Sequence, residues 1–246
     1  MHKSWRIKYH LYRLFWVGVD FLFPPICGGC AKKGVRWCED CQKSIVLIPE
    51  PKCDICGLPQ LKNEICSSCQ KTPPSYKALR SWVVFEGPIR NALHQMKYRQ
   101  DLGLGDSLAA EMLAYTKQLN WHIDMVVPVP LGKKRLQERG YNQVGLFARP
   151  LALAKEWKYV PRALKRVRET ISQVGLLADE RKNNVRSAFV ANHKKVAGKT
   201  VLVIDDVSTT GATLNSCAKA LGNGGAHEVY ALSLARALPH HGLKTV

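Results

Sequence analysis

The hydrophobic pattern of the C-terminal two thirds of the chain predicts a parallel sheet flanked by helices. Short apolar runs, typical of strands buried on both faces of a sheet, occur at residues 79–85, 124–127, 201–204 and 229–234. Helical segments are predicted over residues 87–98, 108–119 and 214–221. The alternation of strands and helices indicates an α/β domain, which we place at residues 79–246.

A helical period also runs through residues 1–23. One face of this amphipathic helix is apolar and consists of Leu11, Leu14, Phe15, Gly18, Val19 and Leu22. We expect this face to pack against the rest of the protein, with docking to a membrane surface or a partner as the alternative. Asp20 interrupts the apolar run, which is also too short to span a bilayer. We therefore expect neither a cleaved signal peptide nor a transmembrane segment.

Eight of the nine cysteines form four C-x-x-C pairs in a small module at residues 24–72. The pairs are Cys27/Cys30, Cys38/Cys41, Cys53/Cys56 and Cys66/Cys69. Two such pairs supply the four thiolates of a closed, structural Zn²⁺ site, so the module is predicted to be a double zinc ribbon. Short loops favour sequential pairing of the four pairs on two ions. Interleaved pairing and a disulfide framework are the alternatives.

The strand at residues 201–204 leads directly into polar residues that suit a sugar phosphate. The segment consists of Asp205, Asp206, Val207, Ser208, Thr209, Thr210, Gly211, Ala212 and Thr213. Small residues before a helix let backbone N–H groups approach a phosphate, and the hydroxyl groups add donors. The two carboxylates accept hydrogen bonds from ribose hydroxyls or bind Mg²⁺ and its waters. The segment therefore predicts a pocket for a ribose phosphate.

Two other interpretations of this segment are weaker. A P-loop requires a first glycine where His193 stands, and Gly198-Lys199-Thr200 leads into a strand instead of leaving one. An ordinary turn after a core strand explains the apolar run but not the adjacent carboxylates or the hydroxyl-rich turn.

Positive charge is concentrated just before this segment. The formal net charge is +18, and residues 131–199 hold 17 basic and 5 acidic residues. We expect anion-binding side chains, for diphosphate or DNA, at Lys133, Lys134, Arg135, Arg139, Asn142, Gln143, Arg166 and Arg181. The first four lie in a predicted loop at 131–140, and the last two in a long polar loop at 164–189 that suits a lid. A solvated basic loop is the alternative at 131–140. Lys97 is expected to be solvated, with contact to an anion near the sheet edge as the alternative.

Residues 201–213 closely resemble the phosphoribosyl-diphosphate (PRPP) motif of type I phosphoribosyltransferases. The resemblance implies that the acidic pair holds the ribose hydroxyls, that residues 209–213 wrap the 5′-phosphate, and that Mg²⁺ accompanies PRPP. The four C-x-x-C pairs, the segment 128–143 and the spacing of polar residues from Arg166 to Phe189 extend the likeness. Together they resemble the ComF competence family, whose fold is a phosphoribosyltransferase-like domain preceded by a Cys₄ double zinc ribbon.

This resemblance implies a cytoplasmic protein of natural transformation that handles incoming single-stranded DNA. Its implied partners are a ComFA-like competence helicase, other transformation proteins, and PRPP or a related nucleotide. The amphipathic helix leaves peripheral attachment to the inner membrane open. The alternative function is an active Mg²⁺-dependent phosphoribosyltransferase. Its acceptor is unknown, because the sequence shows no recognisable base-binding element. A purely structural, partner-binding role is the third hypothesis.

Overall fold

The computed structural model of the chain describes residues 2–62, 64–99, 101–167 and 188–238. Its helices are α1 (His2–Leu22), α2 (Glu39–Lys43), α3 (Ser67–Lys71), α4 (Gly87–Tyr98), α5 (Leu104–Gln118), α6 (Lys133–Arg139), α7 (Gln143–Ala154), α8 (His193–Val196) and α9 (Ala212–Asn223). Its strands are β1 (Ala78–Val84), β2 (Met125–Pro128), β3 (Lys158–Tyr159), β4 (Leu164–Arg166), β5 (Phe189–Ala191), β6 (Thr200–Ser208) and β7 (Glu228–Arg236).

The main domain is a five-stranded sheet in the order β1-β7-β6-β2-β3, and every pair of neighbouring strands is parallel. The predicted α/β class is therefore confirmed. Helices α4, α5 and α7 pack on one face around Leu93, Met112 and Phe147. Helix α9 and the β4–β5 hairpin cover the other face around Leu214 and Phe189. Apolar side chains on both sides of β6 explain why its sequence is a continuous apolar run.

Three predicted boundaries were wrong. Strand β6 does not end at residue 204 but continues through the acidic pair to Ser208. The segment expected to be a loop at 131–140 contains helix α6, which is capped at its C-terminus by Gly140 in the left-handed conformation with φ 76°. The expected long loop at 164–189 is bounded by β4 and β5, which pair as an antiparallel hairpin. The lid expected between these strands lies outside the described residues.

The cysteine module covers the exposed edge of β1. The backbone N–H of Leu79 donates to the carbonyl oxygen of Ile55, and that of Val84 to the carbonyl oxygen of Val46, both at 2.7 Å. An uncovered edge strand offers its backbone groups to other chains. The module therefore completes the sheet, and is not an appendage separated from it by a flexible linker.

Helix α1 packs against the main domain, but not through the face that the sequence predicted. Its packed side carries Tyr12 and Trp16, whose rings lie 5.9 and 5.0 Å from the guanidinium carbons of Arg149 and Arg36. The predicted apolar face points away, and its large side chains are 60–71% exposed at Leu11, Leu14, Phe15 and Leu22. Polar and aromatic contacts thus fix the helix and leave its hydrophobic face uncovered. Within the described residues, no helix is both long and apolar enough to cross a membrane.

Candidate functional site

The hydroxyl-rich loop forms a small pocket at the carboxyl edge of the sheet, where α/β proteins bind ligands. The pocket is lined by Asp205, Val207, Ser208, Thr209, Thr210, Gly211, Ala212, Thr213 and Leu214. Gly211 has φ 79° and starts α9, so the first N–H groups of that helix point toward the loop. Ser208 is 3% exposed, and its hydroxyl group has no hydrogen-bond partner among the described residues. A buried, unpaired donor in the pocket lining suits an anionic ligand.

The two adjacent carboxylates do not face the same surroundings. Because side chains alternate along a strand, only Asp205 lines the pocket. Asp206 is buried toward α4 and α7, where its Oδ2 lies 2.8 Å from the Nζ of Lys97. The Nε2 of Gln143 donates to the same oxygen at 3.2 Å, and the backbone N–H of Val207 donates to Oδ1 at 2.8 Å. The expectation that Lys97 is solvated was therefore wrong.

These contacts separate the protonation behaviour of the two carboxyl groups. Burial raises the pKa of Asp206, but the ammonium of Lys97 and the hydrogen bonds from Gln143 and Val207 outweigh it and hold the pKa below its usual value. Burial and the neighbouring charge of Asp206 raise the pKa of Asp205 well above its usual value. The pair therefore carries one firmly held negative charge, and that charge is balanced by Lys97.

The predicted basic residues are distributed over three places. Lys133, Lys134 and Arg135 are exposed on α6, which follows β2 at the same sheet edge as the pocket. Arg139 donates to the Oε1 of Gln143 at 2.8 Å, which links it to Asp206 through the Gln143 amide.

Asn142 caps α7 through the backbone N–H of Val144 and donates to the carbonyl oxygen of Val129. Arg166 is half-buried on β4, 5.7 Å from the Phe189 ring centre. Arg181 lies outside the described residues. Of the eight predicted residues, Gln143 contacts the acidic pair directly, and Arg139 reaches it through Gln143.

The eight paired cysteines form two separate clusters in sequential order. One consists of Cys27, Cys30, Cys38 and Cys41, and the other of Cys53, Cys56, Cys66 and Cys69. Sulfur atoms lie 3.6–3.8 Å apart where they contact each other, and all eight are free thiols. A tetrahedral site with Zn–S bonds of about 2.3 Å requires a sulfur separation of about 3.8 Å. The clusters fit two structural Zn²⁺ ions, and the disulfide and interleaved alternatives are excluded by their geometry.

One cysteine in each cluster has a lowered thiol pKa, which favours metal binding. Burial raises the pKa of Cys27, but backbone N–H groups of Cys30, Cys38 and Gly29 point at its sulfur and lower the pKa to about 7. Backbone N–H groups likewise overcome burial at Cys53 and lower its pKa to about 6. Because zinc binds thiolates, these N–H groups favour the metal-bound form.

Lys97 and Arg236 complete these sites, although neither was predicted as a site residue. Lys97 lies one turn after the buried Leu93 on α4, so its helical spacing was a usable signal. Arg236 ends β7, is 0% exposed, and donates to the carbonyl oxygen of Cys56 in the second cluster. Nothing local in the sequence marked Arg236, because its partner is far away in the chain.

Comparisons with known proteins agree with this architecture. A double zinc ribbon domain matches residues 18–70, and a phosphoribosyl transferase domain matches residues 104–241. "Competence protein F" of Haemophilus influenzae is 32% identical over 218 residues, which cover 84% of this chain and 92% of that protein.

Two further relatives extend the comparison. "DNA utilization protein YhgH" of Escherichia coli is 31% identical, over 76% of this chain and 84% of its own. "Competence protein ComFC" of Bacillus subtilis is 24% identical, over 83% of this chain and 90% of its own. The chain therefore belongs to the ComF family of competence proteins, with a double zinc ribbon joined to a phosphoribosyltransferase-like domain.

Proposed function

We propose that this protein handles single-stranded DNA entering the cell during natural transformation. The observation that carries the proposal is the exposed, basic helix α6 at the sheet edge beside the phosphate pocket. Lysine and arginine side chains along one edge neutralise backbone phosphates without reading sequence. Relatives are named competence and DNA utilization proteins, which is consistent with this role. A competence helicase of the ComFA type and other transformation proteins are the proposed partners, in the cytoplasm.

The pocket at residues 205–214 is proposed to hold the ribose 5-phosphate part of PRPP or of a nucleotide. The phosphate would be bound by the loop and the start of α9, with the Ser208 hydroxyl as a buried donor. Asp205 would accept from the ribose hydroxyls, because it is the carboxylate that lines the pocket. In this assignment the phosphate loop binds a sugar phosphate and α6 binds DNA, and both elements lie at the same edge of the sheet.

The test of DNA binding is fluorescence anisotropy with labelled single-stranded DNA over a salt series. We expect affinity to fall steeply with salt, because each neutralised phosphate of a single strand contributes a slope of about −0.7. The triple variant Lys133→Gln/Lys134→Gln/Arg135→Gln should bind more weakly and reduce the slope by about 2.

The matched control removes the same charge from the zinc module, as Lys43→Gln/Lys62→Gln/Lys71→Gln. These three lysines are exposed, so their loss should leave the fold intact. If both triple variants lose affinity equally, net charge and not α6 binds DNA. If the wild type binds no DNA at low salt, the proposed function fails.

The alternative function is phosphoribosyl transfer dependent on Mg²⁺. The phosphate loop and Asp205 favour it, because they are the parts that would hold the phosphoribosyl group. Release of diphosphate from PRPP in the presence of candidate acceptors would support it. A wild-type protein that binds ribose 5-phosphate but releases no diphosphate with bases, amines or DNA would exclude it for those acceptors.

We also propose that α1 attaches the protein to the inner face of a membrane with anionic lipids. The side of α1 that the rest of the described protein leaves uncovered is apolar and includes Phe21 and Leu22, which are 87% and 71% exposed. Residues 1–19 contain four lysines and arginines and no acidic residue, which complements anionic headgroups.

Co-sedimentation with phosphatidylglycerol vesicles tests this attachment. Binding should be lost in Leu14→Gln/Phe15→Gln and kept in Leu61→Gln, whose side chain is 97% exposed elsewhere. Equal loss in both variants, or equal binding to neutral phosphatidylcholine vesicles, would contradict it.

A further inference from the structure

Helix α4 meets the basic helix α6 at an exposed tyrosine. The guanidinium carbon of Arg139, the last residue of α6, lies 5.2 Å from the centre of the Tyr98 ring at the end of α4. The hydroxyl group of Tyr141 donates to the carbonyl oxygen of Met96 at 2.6 Å and joins the same two segments. The ends of α4 and α6 therefore form one continuous surface.

Helical spacing extends this contact into a row of cationic and aromatic side chains. Arg135 lies one turn before Arg139 on the same face of α6. His94 and Arg90 lie one and two turns before Tyr98 on α4, and both are exposed. The imidazole and phenol ring centres of His94 and Tyr98 are 4.7 Å apart, with the ring planes tilted by 45°. We call these five residues the stacking row.

The ring of Tyr98 is held in place without being buried. Tyr98 is 64% exposed, so its ring contributes little apolar burial to the fold. The guanidinium against the ring is anchored, because Arg139 is half-buried and donates to Gln143, which is itself 4% exposed. A rigid, exposed ring loses little conformational freedom when a ligand stacks on it.

The charge around the stacking row suits a chain of phosphates. Residues 87–99 contain three lysines and arginines and no acidic residue, and α6 contains four with one acidic residue. The nearby carboxylate of Asp206 is paired with Lys97, and this contact places the end of α4 at the carboxyl end of β6. The stacking row therefore lies at the sheet edge where α6 and the phosphate pocket lie.

We propose that Tyr98, held by Arg139, is a stacking platform for a base of single-stranded DNA. The phosphates of the strand would follow the basic side chains of α6 and α4 on either side of the ring. The inference rests on the proposed DNA-handling function and specifies its form, which is contact with the face of an unpaired base and no sequence preference. Bases in a duplex already stack on one another, so the platform favours single strands.

The test is fluorescence anisotropy of the full-length, zinc-loaded protein with two labelled strands of equal length. One strand is oligothymidine, and the other has abasic sugars throughout, so the two carry the same phosphates and differ in their bases. Tyr98→Leu should weaken oligothymidine binding by about fivefold or more. It should leave the affinity for the abasic strand within about twofold of wild type, with an unchanged salt slope.

Two further variants separate stacking from other effects of the substitution. Tyr98→Phe keeps the aromatic ring and should bind both strands as the wild type does. Phe23→Leu removes an aromatic ring that is 72% exposed outside the stacking row, and it should also behave as wild type. Leucine favours helix and Tyr98 is exposed, so Tyr98→Leu should melt close to the wild-type temperature.

The outcomes distinguish this inference from the proposed function. A loss in Tyr98→Leu that is confined to the strand with bases supports the platform. An equal loss for both strands, or no loss for either, overturns the platform and leaves DNA binding by α6 in place. If the wild type binds neither strand at low salt, the proposed function fails and the inference fails with it.

Discussion

Arg236 donates a hydrogen bond from Nη1 to the carbonyl oxygen of Cys56, and this contact ties the second zinc cluster to the sheet. Arg236 is 0% exposed, and its Nε and Nη2 have no hydrogen-bond partner among the described residues. Four thiolates around one Zn²⁺ carry a net charge of about −2. The buried guanidinium and the metal cluster therefore compensate each other across the boundary between the two modules.

Arg236→Met should weaken both the fold and zinc retention by the second cluster. Removing the guanidinium leaves the cluster charge uncompensated, so we expect the free energy of unfolding to fall by about 2–4 kcal/mol. Thermal unfolding and the rate of zinc release to a chromogenic chelator measure the two effects. Arg80→Met is the control, because Arg80 also donates to the module, at the carbonyl oxygen of Asp54, but is only half-buried. Equal effects in both variants would contradict charge compensation by Arg236.

Zinc removal should expose the edge strand β1 before the central strand β6 unfolds. Module residues accept the hydrogen bonds of the Leu79 and Val84 backbone N–H groups, and the module depends on its metal for folding. After chelation we expect faster hydrogen exchange at these two amides and continued protection at Leu202 in β6. Exchange that accelerates uniformly through β1 and β6 would show instead that zinc holds the whole domain together.

Two glycines at opposite ends of α9 should respond to alanine in opposite directions. Gly211 has φ 79°, and an added Cβ would lie 3.2 Å from the Tyr76 hydroxyl oxygen. Gly211→Ala should therefore lower the free energy of unfolding by about 1–2 kcal/mol and weaken ribose 5-phosphate binding. Gly222 lies in α9, and a Cβ added there would have no other atom within 4 Å. Gly222→Ala should therefore raise the free energy of unfolding by up to about 1 kcal/mol. Chemical denaturation of both variants checks the pair, and destabilisation by both would refute the argument.

The buried carboxylate of Asp106 is expected to lower the free energy of unfolding at neutral pH. Its Oδ1 is buried without a partner among the described residues, and its Oδ2 lies 3.7 Å from the Nε of Arg13. Burial raises the pKa of this carboxyl group more than Arg13 and Arg36 lower it. Because the folded-state pKa lies above the unfolded value, the favourable contribution exists at low pH and is lost as pH rises through the folded pKa.

Asp106→Asn should accordingly raise the free energy of unfolding at about pH 8 by roughly 1 kcal/mol, with a smaller gain toward about pH 5. Urea unfolding of variant and wild type at each pH measures the difference and cancels any shared loss of zinc. Asp101→Asn is the contrasting variant and should be destabilised, because Asp101 accepts from Arg36 at 2.6 Å and from the Leu104 backbone N–H at 3.1 Å. A gain at Asp106 that is independent of pH would contradict a titrating carboxylate.

The helix at the N-terminus shows how far a hydrophobic pattern reaches. The period through Leu14 and Phe15 correctly predicted a helix, because periodicity is a local property of the chain. It gave the wrong packed face, because Tyr12 and Trp16 find the guanidinium groups of Arg149 and Arg36. Amphipathicity identifies an apolar face, but only the neighbouring elements decide which face is covered.

Local spacing determined the elements that carry the chemistry of this protein. The C-x-x-C pairs, the apolar runs and the segment from Asp205 to Thr213 are each contained in a few consecutive residues, so their ligand sets and strands could be predicted from the sequence. Tertiary structure alone decided that Lys97 balances Asp206, that Arg236 meets Cys56, and that the zinc module covers β1. Each of these contacts joins residues far apart in the chain, and whether a charged side chain is solvated or paired depends on what folding brings beside it.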